Sequence, residues 1–459
     1  MPGSHYGNIM KNQTLSLAVV GHTNTGKTSL LRTLLRDSLF GEVKNASSTT
    51  RHVERAAISD GRDVLVYLYD TPGLEDAGGV LDWLEDNTSP RLDGVERIQQ
   101  FLDSPEAAGD FNQEAKVLRQ LLQSDMAMYV VDAREPVLGK YKDELMVLSW
   151  CAKPVMPVFN FIGGQDLSAW TTMLARRGLH IYSGFDTVAF DFEGEMRLWE
   201  GLASMLRQRG MLDRLAAVRR REWRKLDDEA RGEIADFLIN IAAYRQEIDG
   251  GGSPKAALKA MRSAVRQAER HLQRRLSRLY RFYHSEIDSG EWALKSFRQD
   301  PFDAEQLKSY GIRTGTGAAT GALIGMGVDM ATLGGSLGLG TAIGGLLGGM
   351  LPNMQDISDK LTGRQTLYID PETLTLLAAR ALDLLQALQK RGHAAQTQIQ
   401  MHSGKTPWPV QKLPVELRRA RGRPKWSELN TGHPETSRAE RSAAVKSLIG
   451  QLPQTSSLP

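Results

Sequence analysis

The chain has 459 residues, room for two or three domains, with 57 basic and 54 acidic side chains and a net charge of +3. That near-balance argues against a nucleic-acid binder working through global charge, though local basic patches stay open. The single cysteine, Cys151, excludes an intramolecular disulfide and a cysteine-based metal site, and fits a reducing compartment.

In chain order, no secretory signal opens the sequence, and the mostly polar residues 1–10 are expected as an arm. Thr14 to Val20 (TLSLAVV) reads as a buried strand and Ser29 to Leu35 (SLLRTLL) as an apolar-faced helix. Between them runs GHTNTGKT, Gly21 to Thr28, the G-x-x-x-x-G-K-T phosphate-loop pattern in its strand-and-helix setting. Its glycines let the backbone curl so that N–H groups face phosphate oxygens, and the helix N-terminus adds partial positive charge. Lys27 supplies a point charge to the outer phosphates, and Thr28 a hydroxyl to magnesium. The next strand, Val64 to Asp70, ends in Asp70-Thr71-Pro72-Gly73. An acid at that strand tip can hold magnesium through water, and Gly73 can offer its N–H to the terminal phosphate. Together the two motifs point to GTP hydrolysis, with an ATPase as the lesser reading. In the intervening Ser/Thr-rich loop, Thr50, with Thr49 close behind, is the expected third magnesium contact.

These motifs resemble those of the TrmE–Era–septin group of GTPases: the G-x-x-N-x-G-K-S/T loop, the T-T-R switch at Thr49-Thr50-Arg51, and D-T-P-G. The resemblance covers about residues 14–195. It implies Thr50 as magnesium ligand and Asn24 as a potassium ligand that offsets transition-state charge; Asn24 is equally a residue suited to an unusual loop angle. Leu74 stands where related enzymes carry the water-orienting glutamine, so hydrolysis is expected to be slow without potassium or a partner. Glu75, Asp76, Arg51 and a second copy of the domain are candidates to complete the site.

Residues 75–124 read as an insertion with helices near 94–102 and 112–122, either a lid or a surface elaboration. Met126 to Asp132 and Val155 to Asn160 are further buried strands, and Thr187 to Phe192 (TVAFDF) is the expected sixth. The guanine motif N-K-x-D is altered: Asn160 is in place, the lysine is missing, and Asp166 arrives three residues late. The expected nucleotide contacts are therefore Gly21, Asn24, Thr25, Gly26, Lys27, Thr28, Ser29, Asn160 and Asp166. Lys27, Asn24, Thr50 and Gly73 serve catalysis, and Thr28, Thr50 and Asp70 bind the metal.

The expected architecture is an α/β domain with a doubly wound, mostly parallel sheet (11–205), followed by an all-helical domain. Its parts are basic helices over 206–310, a glycine-rich hairpin over 311–351, and C-terminal helices over 352–398. Ser253 and Pro254 read as the start of a long arginine-rich helix. In the glycine-rich segment, Gly317, Gly321 and Gly325, and again Gly340, Gly344 and Gly348, recur every four residues. Asp329 is the one charge between Thr314 and Leu351. Such stripes suit close helix packing and a hairpin meeting a membrane. Residues 399–459 read as a disordered, basic, Pro/Ser-rich tail.

The order of features resembles a bacterial GTPase family with an Era-like domain and a helical, glycine-rich C-terminal domain. The leading expectation is a switch hydrolysing GTP to GDP with Mg2+, and K+ as a further ion. It would be cytoplasmic, peripheral to the cytoplasmic membrane or hairpin-inserted in it, with a membrane or membrane-protein partner through 311–351 and a homodimer through the GTPase domain. The alternatives are an RNA- or ribosome-associated GTPase, and a nucleotide-binding scaffold with little catalysis; nucleic acid is the lesser partner.

Overall fold

The computed structural model describes residues 14–37, 40, 52–207, 209–248, 253–282, 300–302, 304–312, 324–328, 365–392, 406–430 and 438–453. Its chain forms two compact units, Met1–Trp223 with Lys390–Gln396, and Arg224–Gln389 with Thr397–Pro459. The first thus runs past the expected boundary at 205 and regains a short piece from far along the chain.

The first unit holds a six-stranded sheet in the order β2-β3-β1-β4-β5-β6. Its strands are β1 (Leu15–Val20), β2 (Glu54–Ser59), β3 (Val64–Asp70), β4 (Met126–Asp132), β5 (Val155–Asn160) and β6 (Ser183–Gly184). All pairings are parallel except β2 with β3. Every residue of β4 (MAMYVVD) and β5 (VMPVFN) is buried, as a parallel sheet covered on both faces requires. The order reverses beside β1, so its carboxyl end opens at the switch point where such sheets bind ligands. Helix α1 (Lys27–Leu35) follows directly. The long segment after β3 forms α2 (Ala77–Asn87), α3 (Gly94–Leu102) and α4 (Asn112–Gln123). Val80, Ile98, Phe101 and Leu118 from these helices share one core with Ala18 and Val20 of β1 and Tyr129 of β4. The three helices are therefore built into the domain core. α5 (Gly139–Trp150), α6 (Ser168–Ala175) and α7 (Phe192–Ser204) complete the wrap.

The edge strand β2 has only Ile58 of its six residues buried, so no apolar run marks it. One expectation fails in this unit. Thr187 to Phe192 is not the sixth strand, which is only Ser183–Gly184. Asp186 instead accepts the N–H groups of Val188 and Ala189, and Asp191 those of Glu193 and Gly194, opening α7. These local side-chain bonds satisfy backbone donors that a strand ladder would otherwise need.

Helix α8 (Gly210–Ala243) carries the chain into the second unit. There α9 (Pro254–Leu279) starts as expected, with the Ser253 hydroxyl accepting from Ala256 N–H. α10 (Ala304–Ser309) and α11 (Pro371–Gln389) follow, but the unit is not all-helical. A second sheet runs β7-β9-β8, from β7 (Arg245–Ile248), β8 (Ile324–Val328) and β9 (Gln365–Ile369). β8 lies inside the segment expected as a helical hairpin and pairs antiparallel with β9, Ile324 opposite Ile369 and Val328 opposite Gln365. Gly325 and Gly327 alternate there with Ile324, Met326 and Val328, a period of two, and each glycine in a helix would cost about 1 kcal/mol. The rest of 313–364, including Asp329 and the other glycine positions, falls outside the described residues. Among the described residues no helix is long and apolar enough to cross a membrane.

The expected disordered tail is also corrected. Its described parts fold into 3-10 turns at Val410–Lys412 and Pro424–Trp426, α12 (Val415–Arg421) and α13 (Arg438–Ile449). Leu417, Ala420 and Leu448 are fully buried. Trp408 donates to Thr375 Oγ1 at 3.0 Å, and Arg231 donates to the carbonyls of Leu452 and Pro453 at 3.1 and 2.6 Å. Average polarity conceals these few anchors.

Candidate nucleotide-binding site

The loop between β1 and α1 is held by its own backbone. Gly26 has φ +91°, and a Cβ there would lie 2.3 Å from Asn160 Nδ2, so both conformation and space demand glycine. Asn24 is exposed and left-handed at φ 66°, which gives a conformational reason for its presence. The buried Lys27 ammonium donates to the carbonyls of Gly21 at 3.1 Å and His22 at 2.7 Å. Burial pulls its pKa down to about 8, against the opposing pull of Asp70, Glu144 and Glu75. The nine-residue α1, with Ser29 in its opening turn, has no capping side chain and no acid in that turn, so its N–H groups suit an anion.

Thr28 Oγ1 donates to Asp70 Oδ2 at 2.6 Å, and Asp70 is fully buried at the end of β3. This pair of hard oxygens beside a phosphate loop fits a magnesium ion. Thr49, Thr50 and Arg51 fall outside the described residues.

Beyond Asp70, the Thr71 hydroxyl donates to Val19 carbonyl at 2.7 Å and Gly73 packs against Thr23. Leu74 turns its side chain wholly into the core, so it offers nothing to the site. Its carbonyl lies 2.7 Å from His22 Nδ1, which also lies 2.8 Å from Glu144 Oε1. Both partners are acceptors, so Nδ1 carries the proton. Glu144, buried on α5, accepts the Tyr129 hydroxyl with its other oxygen at 2.6 Å. Glu114, buried on α4, accepts the N–H groups of Glu75 and Asp76, both at 3.0 Å. Of the carboxylates expected to complete the site, Glu75 stays beside the phosphate loop, accepting from Thr23 at 2.8 Å, and Asp76 caps α2 through Gly79 N–H at 2.8 Å.

On the base side, buried Asn160 spans three elements. Its Nδ2 donates to Thr25 carbonyl at 3.2 Å, and its Oδ1 accepts from Phe161 N–H at 2.9 Å and from Thr187 N–H and Oγ1 at 3.1 and 3.0 Å. Phe161, left-handed at φ 57°, stands where the motif's lysine is missing. The Arg134 guanidinium lies 4.1 Å from its ring centre and is itself held by Asp132 through bonds of 2.9 and 2.6 Å. Phe161 Cζ lies 3.5 Å from where a Gly26 side chain would begin, so the ring edges the phosphate loop. Asp166 is exposed, and both its oxygens accept from Ser168, N–H and Oγ each at 2.9 Å. These bonds hold its pKa below the ordinary value. The structure therefore brings the phosphate loop, Asp70, Gly73 and Asn160 together, and commits Asp166 to the start of α6.

The sequence reading missed Glu114, Glu144, Phe161, Arg134 and Thr187. The two glutamates left a signal: Glu114 precedes Leu118 and Leu121, and Glu144 follows Tyr141, at spacings that put an acid on an apolar helix face. An acid in such a place is satisfied by protein groups.

Residues 171–450 match the family model described as "Domain of unknown function (DUF3482)", and residues 16–161 that described as "50S ribosome-binding GTPase". Among curated proteins the chain is similar to the "tRNA modification GTPase MnmE" of Bacteroides thetaiotaomicron, 27% identical over 143 residues, 31% of this chain and 30% of that one. The protein of the same name from Chromobacterium violaceum is 27% identical over 166 residues, 36% of this chain and 29% of that one. The chain thus matches under a third of the length of these relatives. Among solved structures, Aquifex aeolicus Era bound to GDP and AlF4− is 19% identical with a TM-score of 0.25, covering 37% of this chain and 50% of that one.

Proposed function

We propose that this chain, which belongs to the DUF3482 family and carries a TrmE–Era-type P-loop GTPase domain in its N-terminal part, is a Mg2+-dependent switch that hydrolyses GTP to GDP and phosphate. The observation that carries the reading is the cluster of Lys27, the uncapped start of α1, and the Thr28–Asp70 pair around one loop. Lys27 and the α1 N–H groups bind the outer phosphates and offset charge developing on the transferred group. Thr28 and Asp70, with Thr50 by its motif position, would hold magnesium, which would add to that offset when bound. Gly73 N–H serves the terminal phosphate. The purine stacks on the Phe161 ring, which Arg134 backs, and Asn160 donates to the base edge. Leu74 leaves the attacking water without a side chain to orient it, so turnover is slow until potassium at Asn24 or a partner surface, a second copy of the domain included, completes the site.

Membrane contact through 311–351 rests on the sequence of that apolar, glycine-rich segment. A second reading, contact with RNA, draws on α9. It exposes Lys255, Lys259, Arg270 and Arg274 while Met261, Val265, Leu272 and Leu276 are buried, so its apolar face is already used. Co-sedimentation with anionic vesicles and retention on RNA separate the two.

The experiment that tests the main reading is nucleotide binding and phosphate release by the full chain, GTP against ATP, in potassium and in sodium. GTP-selective turnover that rises with potassium is expected. A Phe161→Ala variant should bind GDP about tenfold more weakly or worse, since stacking on an aromatic ring contributes about 1–3 kcal/mol. Unchanged affinity would rule out the stacking role. Absence of turnover in both salts, despite tight GTP binding, would favour the scaffold reading.

A further inference from the structure

β6 contains two residues, Ser183 and Gly184, paired only to Val158 and Phe159. The sheet ladder therefore ends before Thr187, which must be fixed by other means if it is to hold Asn160. The piece of chain that does so comes from the far end of the sequence. After α11 the chain returns to the first unit with Lys390–Gln396. Arg391 forms a β-bridge with Ala189, and Gly392 N–H donates to Val188 carbonyl at 3.1 Å. A Cβ on Gly392 would lie 1.9 Å from Thr187 carbonyl oxygen and 2.5 Å from its carbon, so only glycine lets this backbone close on Thr187. Thr187 and Asn160 are fully buried, and Arg391 is 6% exposed.

The consequence for Asn160 follows from its hydrogen-bonding capacity. Its Oδ1 accepts three bonds, two of them from Thr187, and one Nδ2–H goes to Thr25 carbonyl. The amide cannot flip without losing this set, and one Nδ2–H remains for a ligand. Directed at the six-position, such a donor favours guanine, whose O6 accepts, over adenine, whose N6 donates, whereas at N7 it would serve both bases alike.

We propose that Arg391–Gly392 is part of the base pocket: by closing on Thr187 it holds Asn160 in its donor orientation, so that guanine selectivity depends on the segment returning from the DUF3482 region. Thr187 and Gly392 are positioning residues, acting through Asn160. This rests on the guanine-nucleotide reading above and adds what maintains selectivity when the lysine is missing and Asp166 is engaged by Ser168.

The test compares binding of GDP, ADP and pyrophosphate, with Mg2+, to the full chain and to Thr187→Val, Thr187→Ser and Gly392→Ala, alongside melting curves. Thr187→Val removes one donor with little change of shape, and Gly392→Ala forces the two backbones apart. Both should lower GDP affinity about tenfold, leave ADP and pyrophosphate affinity unchanged, and so reduce the GDP-to-ADP ratio about tenfold. Thr187→Ser should keep the wild-type ratio. A ratio preserved in both Thr187→Val and Gly392→Ala overturns the positioning role alone. So does a parallel fall for all three ligands, which reports general loss of structure. A wild-type chain that binds GDP and ADP alike overturns the guanine reading itself, and this proposal with it.

Discussion

Replacing Lys27 by alanine should weaken GDP and GTP binding about 100-fold or more, about 2.7 kcal/mol, without loss of the fold. The ammonium is buried, and its partners in the structure are the carbonyls of Gly21 and His22. Phosphate oxygens are far better partners for a buried cation than neutral carbonyls, because each bond is charge-assisted. Burial has already pulled its pKa down to about 8, so the charged form is uncomfortable until an anion arrives. Two consequences follow. Truncating Lys27 removes a desolvated charge, so the melting temperature without ligand should not fall. Bound phosphate raises the Lys27 pKa, so between its free and bound values binding takes up a proton. Affinity should therefore be level below pH 8 and decline above it, by at most tenfold per unit. Calorimetric titrations in two buffers of different ionisation enthalpy measure the proton uptake. Affinity for GDP unchanged in the alanine variant would remove Lys27 from the site.

The second large effect lies far from the nucleotide. Arg380, 1% exposed on α11, donates to Glu269 of α9 at 2.7 Å and to Gln306 of α10 at 3.1 Å. Burial already raises the Glu269 pKa, even with Arg380 beside it. Arg380→Ala would strand that carboxylate, a change expected to destabilise the second unit by about 3–5 kcal/mol. Arg380→Met with Glu269→Leu should recover most of the loss, because an apolar pair of similar volume needs no compensation for desolvation. Denaturation with and without GDP separates the two transitions, since bound nucleotide shifts only the unit that holds it. A loss under about 1 kcal/mol would mean the pair is solvated or replaceable.

How much of this was legible depended on whether a residue's partner lay nearby in sequence. β1, β3, β4 and β5 announced themselves as apolar runs, and Lys27, Thr28 and Asp70 by motif and strand end. Thr187 to Phe192 alternates as a strand should, yet Asp186 and Asp191 capture the backbone donors on either side of it. The tail failed for a different reason: Trp408, Leu417 and Trp426 are few among many polar residues, but each is buried. Period four in the glycine-rich segment hid the period-two run at Ile324–Val328. The partnerships of Arg134 with Phe161 and of Gly392 with Thr187 join positions that no local pattern connects.

The contact between Gly392 and Thr187 also bears on how the protein is made. A ribosome releases the phosphate loop early, and Lys27 can meet an anion while the remainder is still being translated. Roughly 200 further residues must be added after Thr187 before Gly392 emerges, about 10–40 s at about 5–20 residues per second. During that interval the nascent domain lacks the strut on its base side. A newly made molecule would hold phosphate first and tell one purine from another only after Gly392 has emerged.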